Sequence, residues 1–181
     1  MSAPGPLRAA ANTRDDWETP DSLFRPLNGE FRFTLDGAAN ASNHKLPRWY
    51  GHQDDGTFID AFTESPIRES IWINPTFGDM LPRWIELFRA RWTPPDFQNT
   101  LVANLPASTG AAWFAEVCAI AHEVRLCQGR VPYIHAPHCA CKACSQGTKG
   151  SNTGDTAIAI WRPTRRPPGQ AHIWVWDWRA G

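Results

Sequence analysis

Apolar positions along the chain change their period several times, and each change marks an element. In "EFRFTLDGAAN", Phe31, Phe33 and Leu35 alternate with polar neighbours, the two-residue repeat of a half-buried strand. "SIWIN" is a short apolar run and predicts a second strand. Leu81, Trp84, Ile85, Phe88 and Trp92 then recur at helical spacing, one face of a helix beginning near Asp79. "NTLVANLP" predicts another buried strand, and Thr109 is placed to cap a helix carrying Trp113, Phe114, Val117, Cys118 and Ala121. "EVRLCQGRVPY" and "TAIAIWRP" predict two further strands. In the tail, Trp174, Trp176 and Trp178 alternate with Ile173, Val175 and Asp177, as in a final hairpin strand whose indoles cover the sheet. Near the start, Thr19 as N-cap and Pro20 as first helical residue predict a short helix to about Arg25. Residues 40–69 predict irregular chain, and no internal repeat is present.

Strand and helix alternate through the middle of the chain, which predicts an α/β fold with a mixed, partly parallel sheet. Such sheets bind ligands outside the carboxyl ends of their strands. Three predicted strand ends carry unusual residues: Asp36-Gly37, Asn74-Pro75-Thr76-Phe77 and Leu105-Pro106-Ala107-Ser108. If those strands are neighbours, their turns line one crevice. "NPTF" is then either a plain strand-to-helix turn or the floor of a site for a flat polar ring.

Composition adds limits. A chain of 181 residues with 42% hydrophobic and 20% charged residues fits a single soluble domain. No apolar run approaches the ~20 residues of a membrane span. Residues 1–14 lack the order of a signal peptide and read as a flexible tail, which leads to the cytoplasm as the expected location. The 10 Trp exceed what a core this size usually needs, so they serve either packing under loops or stacking on bases. Net charge is zero, yet from Val124 onward eight Arg or Lys face only Asp155 and Asp177. Arg outnumbers Lys fifteen to three. A basic third with Arg as the dominant cation suits a polyanionic partner.

"YIHAPHCACKACSQGTKG" places His135, His138, Cys139, Cys141 and Cys144 within ten residues. Thiolate and imidazole at such spacings suit tetrahedral zinc held by four of these five. The alternative is a reduced, exposed Cys-rich loop. A disulfide is disfavoured in a cytosolic protein.

Several blocks together resemble one family. "DDWETPDSLF", "FTLDGAANASNHKLPRWY", "WINPTF", "ANLPASTGAAWF" and "EVRLCQGRV" follow the order and spacing of the small phage-type, Dam-like DNA N6-adenine methyltransferases. The resemblance covers residues 15–131, resumes at "DTAIAIW", and leaves residues 132–154 as a Cys/His-rich insertion in a single domain over 15–181. Lys142 and Lys149 on that insertion would be placed to touch phosphate.

The resemblance implies a Rossmann-like fold, S-adenosylmethionine (SAM) as cofactor, and double-stranded DNA as partner in a bacterial host cell. Trp17, Thr19 and Pro20 match the family's tryptophan–threonine–proline motif, and Leu35, Asp36, Gly37 and Ala38 its second cofactor motif. Asp36 has two readings, cofactor contact or cap of the following turn. Asp54 and Asp55 likewise read as a cofactor contact through Asp55 or as a solvated pair. Asn74, Pro75 and Phe77 match the catalytic motif, with Thr76 where a second proline is usual. In that motif the Asn74 oxygen and the Pro75 carbonyl accept the two hydrogens of an adenine amine, and Phe77 stacks on a base flipped out of the duplex. Two rival readings are a methyltransferase fold acting on another base or donor, and a non-catalytic zinc-containing DNA-binding module.

Overall fold

The computed structural model describes residues 17–93, 98–135, 154–164 and 171–180. Helix α1 covers Asp21–Phe31 and is longer than its sequence predicts. Pro20, not Thr19, stands at its head: Pro20 is extended, and its carbonyl accepts the amides of Leu23 and Phe24 at 3.0 and 3.1 Å. Pro26 predicts a stop at Arg25 because it removes a helical donor. The helix continues because Leu23, Phe24 and Leu27 bury together with Phe33 and Trp72, and that burial outweighs one missing hydrogen bond. Phe31, expected in a strand, is instead the last helical residue. Arg32 follows in a left-handed conformation (φ 51°) and donates its amide to the Asn28 carbonyl at 2.8 Å.

The remaining elements are β1 (Leu35–Asn40), β2 (Trp49–His52), β3 (Phe58–Ile59), β4 (Ser70–Ile73), α2 (Leu81–Leu87), β5 (Thr100–Pro106), α3 (Ala112–Ile120), β6 (Glu123–Cys127), β7 (Thr156–Trp161) and β8 (His172–Trp176). A short 3-10 turn, Gly78–Met80, leads into α2, which widens into a π turn over Phe88–Trp92. The sheet order is β3-β2-β1-β4-β5-β7-β6-β8. Only β3 and β7 run against their neighbours, so β1, β2, β4 and β5 present their carboxyl ends at one edge. A mostly parallel mixed sheet with helices packed on both faces agrees with a Rossmann-like α/β architecture.

Four differences from the sequence reading have physical causes. Residues 40–69 contain β2 and β3, which are too short to show a period. Strand β8 is not a hairpin partner of β7, because β5 and β6 occupy both edges of β7; β8 pairs in parallel with β6 instead. Thr109 does not cap α3, which begins after an extended Ala111 whose carbonyl accepts the Phe114 and Ala115 amides. The strand predicted over "EVRLCQGRVPY" ends at Cys127, before the turn at Gly129.

The core follows the two-residue period. Ile71, Ile73, Leu101, Ala103 and Leu105 face α2 and α3, while Trp72, Val102, Ile158 and Ile160 face α1, Tyr133 and Trp178. Of the 10 Trp, six are buried and the others half-buried, which favours packing over an exposed stacking surface. The Arg125 guanidinium lies 5.5, 5.4 and 5.5 Å from the rings of Trp174, Trp176 and Phe31, and pairs with Glu30 and Glu123 at 2.6 and 2.7 Å. This cluster fastens β8 and the end of α1 to β6. Among the described residues, no helix is long and apolar enough to cross a membrane.

Strand β1 carries one extra residue relative to β2: Asp36 pairs with Trp49, but Ala39 already pairs with Gly51. Gly51 has φ 126°, and a Cβ there would lie 1.9 Å from the Ala39 carbonyl oxygen. Gly51→Ala is therefore expected to lower the unfolding free energy by about 3 kcal/mol or more. Chemical denaturation checks this; a loss near zero would mean that β1 and β2 do not approach so closely.

Candidate functional site

The sheet order reverses between β1 and β4: the chain leaves β1 for β2 on one side, and β4 lies on the other. Such a switch point opens a crevice at the carboxyl ends of the strands. Here Gly37 and Ala38, the residues at the register shift of β1, line that crevice. A side chain at Gly37 would be tight, since a Cβ would stand 3.0 Å from Trp92 and 3.2 Å from Ile73. On the α2 side lies an open cleft of about 230 Å³. Residues 37–40 of β1 wall it with Tyr50, His52, Phe58, Asp60, Phe62, Asn74, Thr76 and Trp84. On the α1 side lies a small polar recess bounded by Trp17, Thr19, Asp36, Lys45, Trp72 and Asn74. Ala38, Asn43 and Asn74 border both spaces, so Asn74 stands in the wall between them.

Asn74 lies two residues after Trp72 and keeps to the same face of the sheet as that residue. Its Nδ2 donates to the Trp17 carbonyl at 3.2 Å, and its Oδ1 accepts from Asn104 Nδ2 at 3.0 Å. Pro75 is buried. The Thr76 hydroxyl accepts the indole N–H of Trp84 at 3.0 Å, which gives this position a packing role that proline could not fill. Phe77 is half-buried against the core on the α2 side and does not border the cleft.

The Asp36 carboxylate is almost fully buried and accepts the amides of Lys45 at 2.9 Å and Ala38 at 3.4 Å. It therefore caps the turn after β1 begins to bow. Burial nevertheless pushes its carboxyl up to about 7, against the lowering effect of those amides. Beside it, Thr19 Oγ1 and Trp17 Nε1 are buried with no hydrogen-bond partner among the described residues. Lys45 closes the recess through ion pairs to Glu18 (2.5 Å) and Asp21 (3.0 Å).

Other expected site residues fall elsewhere. Pro20 is buried at the head of α1 and borders neither space. Asp55 is exposed in the β2–β3 turn, where its Oδ1 accepts the Thr57 amide and hydroxyl at 2.9 and 2.7 Å. The acid on the cleft is Asp60, whose Oδ1 accepts the Phe62 amide at 2.9 Å. His135 stacks on Trp17 with centroids 4.0 Å apart. His138, Cys139, Cys141 and Cys144 lie outside the described residues, together with most of the expected insertion. Among the described residues, no group of three or more His, Cys, Asp or Glu is placed to hold a metal ion. Asn104 was legible as a polar residue inside the apolar run "LVANLP"; Tyr50, Asp60 and Tyr133 carried no comparable signal.

The buried Asp36 carboxyl makes stability depend on pH. A carboxyl raised in the folded state binds its proton more tightly there, so folding is favoured below its unfolded value of 3.8 and stability falls as pH climbs toward about 7. The slope approaches about 1.4 kcal/mol per pH unit and flattens above that range. Asp36→Asn should remove this slope in denaturation curves taken from pH 4 to 8. Thr76→Val should cost about 1–2 kcal/mol by orphaning the Trp84 N–H, again read by denaturation.

A search among curated proteins found none that matches the chain. The family model described as DNA N-6-adenine-methyltransferase (Dam) matches residues 8–173, most of the length. That match agrees with the mostly parallel α/β sheet, and on it the chain belongs to the DNA N-6-adenine-methyltransferase (Dam) family.

Proposed function

We propose that this chain transfers a methyl group from SAM to the N6 amine of an adenine flipped out of double-stranded DNA. The observation that carries the proposal is Asn74, an amide fixed by two hydrogen bonds in the wall between a polar recess and an aromatic cleft.

The chain's residues fit SAM by chemistry. The recess offers an acid, Asp36, for an ammonium, and the partnerless Thr19 hydroxyl and Trp17 N–H for a carboxylate. The cleft offers Asp60 for ribose hydroxyls and the Tyr50 and Phe58 rings for a purine. Ala38, which borders both spaces, serves by keeping the backbone between them nearly bare. When bound, SAM supplies an electrophilic methyl group on a sulfonium.

The adenine amine is a weak nucleophile because its lone pair is delocalised into the ring. Asn74 Oδ1, with one lone pair still free, and the Pro75 carbonyl would accept its two hydrogens. That withdraws the amine from conjugation and aims its lone pair along the transfer line. Pro75 suits this role because it fixes φ and carries no N–H to compete. A base must leave the stack to reach this depth, and Phe77 would pack against it after a side-chain rotation. Thr76 gives no reason to invoke another base, since its hydroxyl is engaged by Trp84.

The direct test is transfer of labelled methyl from SAM to unmethylated duplex DNA, with the nucleosides then separated and counted. N6-methyladenine is the expected product. Label in another nucleoside, or none from folded protein, would refute the proposal. Asn74→Ala should lower transfer by about 100-fold or more while SAM affinity, measured by calorimetry, changes little.

A further inference from the structure

Behind Asn74 runs a line of buried side chains that amine recognition alone does not require. Asn104 Nδ2 bonds Asn74 Oδ1 at 3.0 Å, the Tyr133 hydroxyl bonds Asn104 Oδ1 at 2.9 Å, and Thr156 Oγ1 lies 3.4 Å from the Tyr133 oxygen. Asn104, Tyr133 and Thr156 are 0%, 6% and 1% exposed, so these groups are shielded from bulk water. The Trp17 end of the line is tied back to Tyr133. Glu18 and Ile134 exchange backbone hydrogen bonds at 2.8 and 2.9 Å, and this bridge carries Trp17 and Tyr133 as its neighbours.

The two ends of a carboxamide have nearly the same shape, so only hydrogen-bond partners fix which way it points. Most members of this line could reverse; the Trp17 carbonyl cannot, because it only accepts. The group of Asn74 that faces it must be the NH₂, so Asn74 Oδ1 faces Asn104. Asn104 must then offer its own NH₂ to Asn74 and its oxygen to Tyr133. The Tyr133 hydrogen is thereby committed to Asn104, and the phenolic oxygen is left to accept from Thr156. One backbone carbonyl sets the polarity of the whole line.

We propose that Asn104 and Tyr133 are positioning residues for methyl transfer: they hold the Asn74 carboxamide with its oxygen available to the target amine. A reversed Asn74 would present an NH₂ to an NH₂ and could accept nothing. The inference rests on the function proposed above, since it assumes that Asn74 accepts from the amine.

Two variants test it. Tyr133→Phe removes the hydrogen that holds Asn104, and transfer should fall about fivefold in kcat. The KM for SAM should stay unchanged, and the melting temperature should stay above that of the assay. Asn104→Asp supplies a group whose polarity depends on its proton. Protonated, the introduced carboxyl donates to Asn74 and accepts from Tyr133, as the amide does; ionised, it only accepts and drives Asn74 to reverse. Relative to wild type, kcat of Asn104→Asp should fall about tenfold or more as pH rises through the titration of that carboxyl. Acid should restore it, with SAM affinity unaltered throughout. A purely structural role would show pH-independent loss that tracks melting. That result, or both variants within twofold of wild-type kcat, would overturn the inference while leaving adenine methylation standing. If wild type methylates no adenine, the functional reading fails by itself. The line is then judged by deuterium exchange of the Asn74 and Asn104 side-chain amides: about fivefold faster exchange in Tyr133→Phe supports it, and unchanged exchange overturns it.

Discussion

The extra residue in β1 is the constraint on which the site depends. Three steps of β1 run beside two steps of β2, so the strand cannot stay flat. Its backbone bows at Gly37 and Ala38, and the bow separates a polar recess on the α1 side from an aromatic cleft on the α2 side. Gly51 tolerates the close approach of Ala39, and Gly37 yields its side-chain volume to Trp92 and Ile73. Asp36, just before the bow, is left pointing to the buried side. A bulge beside a binding site re-aims the side chains around it, and here it brings the two spaces to either side of Asn74.

The two faces of the sheet use different chemistry. The α2 side is filled by large rings, with Trp84, Phe88 and Trp92 in tilted and edge-on contact along the helix and its π turn. The α1 side mixes rings with a line of amides and hydroxyls bonded to one another, beside the Thr19 hydroxyl that has no partner among the described residues. Unpaired buried polar groups are costly, so the line from Thr156 to Trp17 stays consistent only in one arrangement. That fixes the orientation of each carboxamide along the line.

Much of the fold was legible in the sequence because long apolar periods survive tertiary context. Strands β4, β5 and β7 and the α2 stripe appear where their patterns predict them. The shorter pieces were not legible. Four residues, "WYGH", show no period, and Phe31 fits a strand pattern although Arg32 turns the chain after it. Of the residues expected from the resemblance, Trp17, Thr19, Asp36 and Asn74 come together around the polar recess. Asp60 was hidden because Asp54 and Asp55 carry the same chemistry a few residues away, and only folding decides which acid meets the cleft. Asn104 and Tyr133 are twenty-nine residues apart, so their contact belongs to the sheet rather than to any local spacing.

The order of strands also bears on how the chain acquires its shape. Strand β7 lies between β5 and β6, yet it comes after both in sequence. Until residues 156–161 arrive, β6 has no partner through which to join the sheet, and the β5 edge is open. A chain emerging from the ribosome would therefore hold β1 to β5 as a half-built sheet while β6 waits. Non-local closure of this kind is slow and leaves apolar edges bare. Insertion of β7 brings Thr156 beside Tyr133 in the same event, so the polar line behind Asn74 is completed only when the two halves of the sheet become one.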